Sequence, residues 1–434
     1  ALIAIFWLDA TPLKVIESWY NGFWSLLEFG MQIVLIVITG FAIALSPVVK
    51  KGIDKLNKYI TTPRQVYYFV ALTGVILGFV SFGWVVITCV LARELALRVK
   101  GVNYPFLIAC VYFASGSWVT GLSSSIPLLL GTKSNYLINA GILNETIPTT
   151  YTLGTPLNLA MIVLYLIFAP LLILFLIPKN KNIKELNDML ESKTDTNELS
   201  IKEEASSLNL SYNSISDRLN NGVLLQIIIV MMGLTYIIFH FYTEGFNLNF
   251  NIMIFIFIIA GLALHKTPMR YVIAMKRSSG NISGILYQYP FYAGIMGIML
   301  YTGLGEKLAQ VMSSVATLDS YAFFAYITGG LVNFAIPSAG GEFAVVGPSL
   351  INAIKDIGTG LPAEEISAMI SRASLSVAYG ESLTNLLQPF FLLLVFPIME
   401  AGIKIQARDV MGYLVIPFLI FFVIQSILVT WIPF

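Results

Sequence analysis

The sequence predicts an all-α polytopic membrane protein built from two inverted-topology repeats, each with a re-entrant hairpin and a broken transmembrane helix. The composition is 57% apolar and 11% charged, with a mean hydropathy of +0.80. Apolar runs long enough to cross a bilayer recur along the chain, and basic residues cluster in alternate loops. A net charge of +1 and so many apolar runs exclude a nucleic-acid-binding protein and a water-soluble enzyme.

The apolar runs lie in both halves of the chain. Residues 1–8 are too short to cross a bilayer, which takes about 20 helical residues, so we expect them to be the end of a first span. Full spans are predicted at residues 23–49, 105–130, 155–178, 221–243, 250–265, 279–304, 366–398 and 410–432.

Two further runs are predicted to enter the membrane and return to the same side. The run at 66–92 lies between basic stretches at 50–64 and 93–100, so both of its ends are expected in the cytoplasm, with a turn near 78–83. The run at 319–355 lies among few cations, so both of its ends are expected outside, with its turn at 337–341. Such backbone is tolerated only inside protein or beside a wet cavity.

The segment at 179–220 separates the two halves. It carries 14 of the 49 charged residues, which predicts a solvated cytoplasmic linker. The first repeat is then 1–178, residues 221–243 form a connecting span, and the second repeat is 250–434. Each element of one half has the opposite orientation in the other, which is typical of secondary transporters that alternate access around a midplane site.

Two matched clusters of small residues interrupt the apolar runs. The sequence Gly-Ser-Trp-Val-Thr-Gly at 116–121, with Pro127 beyond it, parallels Gly-Glu-Ser-Leu-Thr-Asn at 380–385, with Pro389 beyond it. Such clusters break the helical hydrogen-bond ladder and free main-chain groups to bind ions, although small residues also allow close helix packing. The matching favours two functional breaks.

Charged side chains inside spans are costly, so they are candidates for function. The carboxylates are Glu28, Glu342 and Glu381, and Arg372 is the one cation at comparable depth. We expect Glu342 or Glu381, or both, to take up a proton or to coordinate sodium, since a carboxyl group removed from water can stay protonated near neutral pH. A helix cap is the alternative for Glu381, and an interfacial position the alternative for Glu28.

An anionic substrate needs hydrogen-bond donors, which small polar residues and half-helix N-termini supply. The predicted substrate- and ion-binding residues are Ser115, Gly116, Ser117, Thr120, Gly121, Asn333, Ser338, Gly340, Gly341, Glu342, Glu381, Ser382, Thr384 and Asn385, with Ser123 and Ser124 as further donors. A sodium site is predicted near Asn333, Ser338, Ser382 and Asn385. The aromatic residues that could shape an apolar pocket, or serve ordinary packing, are Trp84, Trp118, Phe343 and Tyr379. No nucleotide-binding or catalytic motif is present, which predicts a protein without enzymatic activity or organic cofactor.

Six motifs spread over the whole chain resemble the bacterial short-chain fatty acid transporter family, which includes acetoacetate and butyrate permeases. They are WYNGFW at 19–24, EFGMQ at 28–32, YPFLIAC at 104–110, HKTPM at 265–269, NFAIPS at 333–338 and AYGE at 378–381. The resemblance implies membership of the ion transporter superfamily, two re-entrant hairpins, two broken helices, a homodimer and elevator-type movement in the bacterial cytoplasmic (inner) membrane.

One position departs from the family pattern. Members typically have Gly-Gly followed by His-Trp or Gln-Trp at the second hairpin, where this chain has Glu342 and Phe343. We predict a secondary transporter of short-chain fatty acids coupled to protons or sodium. The alternatives are an ion-coupled carrier of C4-dicarboxylates or amino acids, a passive anion channel and, more remotely, an intramembrane hydrolase.

Overall fold

The computed structural model is helical, with no β-strand among the residues that it describes. These are residues 1–434 apart from 57–58, 180–182, 191–199, 209–213, 247, 335, 390, 401 and 434. The helices of the first half are α1 (Leu2–Leu8), α2 (Pro12–Phe23), α3 (Leu27–Ala44), α4 (Pro47–Leu56), α5 (Pro63–Val80), α6 (Val85–Arg98), α7 (Tyr104–Ser115), α8 (Ser125–Leu130), α9 (Tyr136–Asn139), α10 (Pro156–Val163) and α11 (Ala169–Phe175).

The linker and the second half continue this series. Three short helices lie in the linker: α12 (Leu186–Met189), α13 (Ile201–Ser207) and α14 (Ile215–Asn221). The second half comprises α15 (Leu224–Glu244), α16 (Phe250–His265), α17 (Pro268–Ser278), α18 (Ser283–Tyr301), α19 (Leu304–Val315), α20 (Tyr321–Val332), α21 (Ala339–Ile357), α22 (Ala363–Thr384), α23 (Leu392–Met399), α24 (Ala407–Met411) and α25 (Val415–Trp431).

Several membrane helices begin at a side-chain cap followed by proline. The side chains of Thr62, Asn103 and Thr155 each accept a hydrogen bond from the main-chain N–H three residues on, at the starts of α5, α7 and α10. Proline is favoured in the first turn, where its missing N–H would have no helical partner. These local signals set the helix starts within a few residues of the predicted spans.

Six stretches of the described chain are long and apolar enough to cross a membrane. They are Leu27–Ala44, Pro63–Val80, Tyr104–Leu130, Pro156–Phe175, Leu224–Glu244 and Ala407–Trp431, and Phe250–His265 and Tyr321–Val332 are shorter apolar helices. This confirms a multi-pass membrane protein. The most apolar window of Tyr104–Leu130 is 94% buried, whereas that of Leu224–Glu244 is 11% buried, so the first lies at the centre and the second at the periphery.

The first predicted hairpin consists of α5 and α6, which pack on each other around a turn at residues 81–84. The Ser81 hydroxyl accepts a hydrogen bond from Gly83 N at 3.2 Å, and Gly83 lies against the main chain of α3 at Val37. Gly78, which was predicted in the turn, lies inside α5 instead. The hairpin is thus longer than the predicted 66–92 run.

The second predicted hairpin consists of α20 and α21. Residues 333–338 connect them, with 335 outside the described residues. Gly340 and Gly341, which were predicted in the turn, lie in the first turn of α21, where they pack against Tyr289 and Tyr292 of α18. The connection therefore ends a few residues earlier than predicted, because α21 starts directly after Ser338.

The first broken helix is α7 followed by α8. A 3₁₀ turn at Gly116–Thr120 and non-helical residues 121–124 separate them, at the predicted position. Gly121 lies so close to hairpin 1 that a Cβ there would be 2.1 Å from Phe79 O, and Leu122 N donates to that same carbonyl at 2.8 Å. The break is therefore held against α5.

The second broken helix is interrupted later than predicted. Helix α22 continues through Gly380 to Thr384, and the irregular part is a 3₁₀ turn at Asn385–Leu387 and the residues up to α23. Gly380 instead permits a close helix crossing, because a Cβ there would lie 2.0 Å from Tyr326 O of α20. Gly380 therefore allows close packing of α20 and α22 and does not break α22.

The linker is not wholly solvated, which corrects the sequence prediction. Leu186 in α12 is fully buried, and Glu185 Oε1 accepts a hydrogen bond from Gly101 N at 2.8 Å, beyond the end of α6. The linker residues 180–182, 191–199 and 209–213 lie outside the described part of the chain.

Helix α13 docks on α3 of the first half and α17 of the second half. Ile201 and Ala205 form a small apolar cluster with residues of α3 and α17, and Arg277 Nε donates to Glu204 Oε2 at 3.0 Å. At its start, hydrogen bonds from the Ser200 hydroxyl and main chain hold the pKa of Glu203 below its usual value. Isolated apolar residues in a polar segment thus anchor the linker at two places.

Candidate functional site

The two broken helices bind each other's irregular backbone at the centre of the molecule. Ser382 in α22 donates a hydrogen bond from its hydroxyl to Gly116 O in the first break, at 2.8 Å. In return, the Tyr112 hydroxyl in α7 lies 2.8 Å from the carbonyl oxygens of both Asn385 and Gln388 in the second break. The two predicted breaks are therefore brought together in one site.

A chain of hydrogen bonds runs into this crossing from α20 and α25. The Tyr326 hydroxyl donates to Gln425 Oε1 at 3.2 Å, and Gln425 Nε2 donates to the Tyr165 hydroxyl at 3.3 Å. Tyr165 is hydrogen-bonded to Ser382, which donates onward to Gly116 O. Because a carbonyl oxygen only accepts, every donor in the chain points toward the first break.

Tyr165 reaches this position from a π-helical turn at residues 164–168, between α10 and α11. Such turns are rare and often occur at functional sites. Seven residues earlier, Asn158 donates to Thr120 O at 3.0 Å and accepts from the Tyr379 hydroxyl at 2.8 Å. Neither Tyr165 nor Asn158 was predicted from the sequence, although an asparagine inside an apolar span is a detectable signal.

Five of the hydroxyl groups predicted to bind an anionic substrate already donate to main-chain carbonyl oxygens. Ser115 donates to Tyr112 O at 2.7 Å, Ser117 to Val75 O at 3.2 Å, and Thr120 to Ser117 O at 2.7 Å. In the second half, Thr384 lies 3.1 Å from Gly380 O and 3.2 Å from Glu381 O, and Ser382 donates to Gly116 O as described. A hydroxyl has a single proton, so these five groups hold the irregular backbone rather than a carboxylate.

Asn333, just after α20, is the centre of a buried network with α22. Its amide Nδ2 lies 3.0 Å from Glu381 O, 2.8 Å from Thr384 Oγ1 and 3.2 Å from Asn385 Oδ1. Asn385 Nδ2 in turn donates to Glu381 Oε1 at 2.7 Å. Gln388, which was not predicted, donates to Asn333 O at 3.1 Å and to Asn385 Oδ1 at 2.9 Å.

The other oxygen atoms of this network have no hydrogen-bond partner in the described chain. They are Glu381 Oε2 and Asn333 Oδ1, each with less than 1 Å² of exposed surface, on residues that are fully buried. Both are pure acceptors when Glu381 is ionised. They are the unpaired acceptor atoms of this network among the described residues.

Glu342 lies in the first turn of α21. It is fully buried, both of its carboxyl oxygens lack a hydrogen-bond partner among the described residues, and it is within electrostatic range of Glu381. Ser338, at the start of the same helix, is half-buried, with its hydroxyl 3.4 Å from that of Tyr289.

The remaining candidates have other roles. Glu28 is exposed and accepts a hydrogen bond from the Ser134 hydroxyl at 2.7 Å, as expected for an interfacial residue. Arg372 Nη2 donates to Val429 O and Thr430 O at the end of α25, so it caps that helix. Within the described residues, no group of three or more His, Cys, Asp or Glu side chains could hold a metal ion.

The fold is similar to that of a solved transporter. The crystal structure of the YdaH transporter of Alcanivorax borkumensis matches with a TM-score of 0.56 at 16% identity, covering 96% of this chain and 86% of that one. The likeness concerns the fold alone. Together with the apolar spans, it defines the class: a multi-pass helical membrane protein with the fold of this transporter.

The sequence comparisons identify the family. The family model described as short chain fatty acid transporter matches residues 1–432. A candidate short-chain fatty acid transporter of Escherichia coli K12 is 34% identical over 414 residues, covering 95% of this chain and 88% of the relative. One of Haemophilus influenzae is 33% identical over 411 residues, covering 93% and 87%. The chain belongs to the short-chain fatty acid transporter family, which confirms the resemblance found in its motifs.

Proposed function

We propose that this protein is a secondary active transporter that moves short-chain fatty acids, such as butyrate or acetoacetate, together with a proton or a sodium ion. Family membership and the names of both relatives support the substrate class. Since both relatives are bacterial, the bacterial cytoplasmic membrane is the proposed location.

One observation supports ion coupling: acceptor oxygens of Glu381, Asn333 and Glu342 are buried without a hydrogen-bond partner among the described residues, and the charge of Glu381 acts on Glu342. Buried polar atoms in native proteins are nearly always paired, and two neighbouring buried carboxylates repel each other. A bound proton or cation would give these oxygen atoms a partner and would neutralise the repulsion between the carboxylates. For sodium, we propose Glu381 Oε2 and Asn333 Oδ1 as ligands, since hard cations prefer oxygen.

The order of elements supports alternating access by inverted repeats. A long helix, a shorter helix, a helix pair, a broken helix and a final span follow one another in both halves, as α3 to α11 and as α18 to α25. The resemblance adds an elevator-type movement and a homodimer to the proposal. In this arrangement the interlocked breaks would move as one body past α3 and α18, which the tips of both hairpins contact.

Uptake by proteoliposomes tests the function. We expect labelled butyrate to accumulate when either a sodium gradient or a proton gradient is imposed alone, and the effective gradient identifies the coupling ion. Uptake of succinate or an amino acid in place of butyrate would contradict the substrate assignment. Butyrate flux that only equilibrates, whichever gradient is imposed, would indicate a channel.

A further inference from the structure

Two hydrogen-bond donors in the first break have no partner in the described chain. One is Trp118 Nε1, in the 3₁₀ turn, and the other is the Ser125 hydroxyl, across the irregular residues 121–124. Trp118 is 7% exposed, and both atoms have less than 1 Å² of exposed surface. A buried indole N–H normally finds a partner, so this donor requires an explanation.

The indole ring belongs to an aromatic cluster formed with hairpin 1 and the second break. The ring of Phe82, in the hairpin turn, lies 5.1 Å from that of Trp118 and 5.2 Å from that of Phe391. Phe391 in turn lies 6.2 Å from Tyr112, which holds the second break. The ring that carries the unpaired donor therefore belongs to an aromatic cluster to which three different elements contribute.

We propose that the Trp118 indole N–H binds the carboxylate of the transported fatty acid, and that Phe82 and Phe391 contact its acyl chain. The proposal rests on the proposed function and names its substrate subsite. A neutral donor suits a carrier, because a fixed cation would retain the anion too strongly for release. A small apolar site with a few placed polar groups is also typical of ligand pockets.

This assignment places the fatty acid anion and the coupling cation at different groups, because an anion needs hydrogen-bond donors and a cation needs acceptor oxygens. In the first break, Trp118 Nε1 and the Ser125 hydroxyl are donors without a partner among the described residues, whereas the unpaired oxygens of Glu381, Asn333 and Glu342 are acceptors when the carboxyl groups are ionised. The five hydroxyl groups described above leave no proton for a carboxylate. An anion is thus expected at the first break and the coupling cation beside the second.

Replacing the indole tests the subsite. Trp118→Phe keeps an aromatic ring but removes the N–H, so we expect the butyrate KM to rise about ten-fold, since hydrogen bonds to charged groups are the strong ones. The concentration of coupling ion that gives half-maximal uptake should stay unchanged. This result would also show that the variant is folded. The matched control is Trp84→Phe, which removes another indole N–H without a partner among the described residues, at the tip of hairpin 1. An unchanged KM in Trp118→Phe, or an equal rise in both variants, would overturn the proposal.

A binding measurement covers the case in which Trp118→Phe does not fold. Fluorine NMR of protein labelled with 5-fluorotryptophan gives one signal for each of the six tryptophans, and Trp118 is assigned by elimination from replacements of the other five. Butyrate should shift this signal, and no shift at saturating butyrate contradicts the subsite. Absence of butyrate uptake by the wild type would instead refute the proposed function, so the two failures are distinguishable.

Discussion

At the scale of single residues, buried hydrogen bonds decide which groups remain for a ligand. Ser382 illustrates this, because its hydroxyl is hydrogen-bonded to Tyr165 and donates its proton to Gly116 O. A serine that looks like a substrate donor in the sequence is a structural link between the two breaks. Glu381 differs, since one carboxyl oxygen is held by Asn385 and the other is unpaired.

The direction of the hydroxyl chain can be tested with two tyrosines. Tyr165→Phe removes the group between Gln425 Nε2 and Ser382, so two partners lose a hydrogen bond, whereas Tyr326→Phe removes only the first donor of the chain. We expect Tyr165→Phe to lower the free energy of unfolding by about 2–3 kcal/mol and Tyr326→Phe by about 1 kcal/mol. Denaturant unfolding in detergent measures both, and equal losses would contradict a directed chain.

The sequence could nominate site residues by type and position but could not assign their partners. Asn333, Glu342 and Glu381 were predicted, because polar groups inside apolar runs are conspicuous. Tyr165 and Gln425 were not, because a tyrosine and a glutamine in a span identify no partner until distant helices are packed. Hydrogen-bond partners separated by hundreds of residues, as in Gln425 to Tyr165, are fixed by tertiary structure alone.

At the scale of elements, a glycine in an apolar run can either interrupt a helix or allow two helices to pack closely, and the sequence does not distinguish these uses. In the first broken helix the predicted cluster coincides with irregular backbone, whereas in the second the helix continues past Gly380. The reason is that Gly380 faces the main chain of α20, so the position is needed for close packing. Which of the two applies depends on the neighbouring helix, which only the fold provides.

Replacing Gly380 by alanine tests this assignment. Alanine favours a helix by about 1 kcal/mol over glycine, but the added Cβ would lie 2.0 Å from Tyr326 O. We expect the steric cost to prevail, with a net loss of stability of about 2 kcal/mol in thermal unfolding. The matched control is Gly412→Ala, where no atom lies within 4 Å of the new Cβ. A Gly380→Ala protein as stable as the wild type would contradict the close contact between Gly380 and the main chain of α20.

At the scale of the whole molecule, the two broken helices are interlocked at the centre, and the linker is anchored to both halves. Loop charges predict a cytoplasmic linker and two re-entrant hairpins, because basic residues mark one side of a membrane, and the side on which each lies stays a prediction. They did not predict docking of the linker, which depends on a few apolar residues, Leu186, Ile201 and Ala205, among many polar ones. The composition of a segment is a weaker guide than the position of its apolar side chains.

The central claim is that the buried carboxylate of Glu381 carries the coupling ion for fatty acid uptake. Glu381→Gln keeps the size of the side chain and removes its charge, so butyrate accumulation driven by the ion gradient should fall to the level of simple equilibration. Glu28→Gln is the matched control, because that carboxylate is exposed and lies outside the site. The measurement is the ratio of internal to external labelled butyrate in proteoliposomes under the effective gradient. The account predicts a ratio near one for Glu381→Gln and a wild-type ratio for Glu28→Gln, and gradient-driven accumulation by Glu381→Gln at the wild-type level would contradict it.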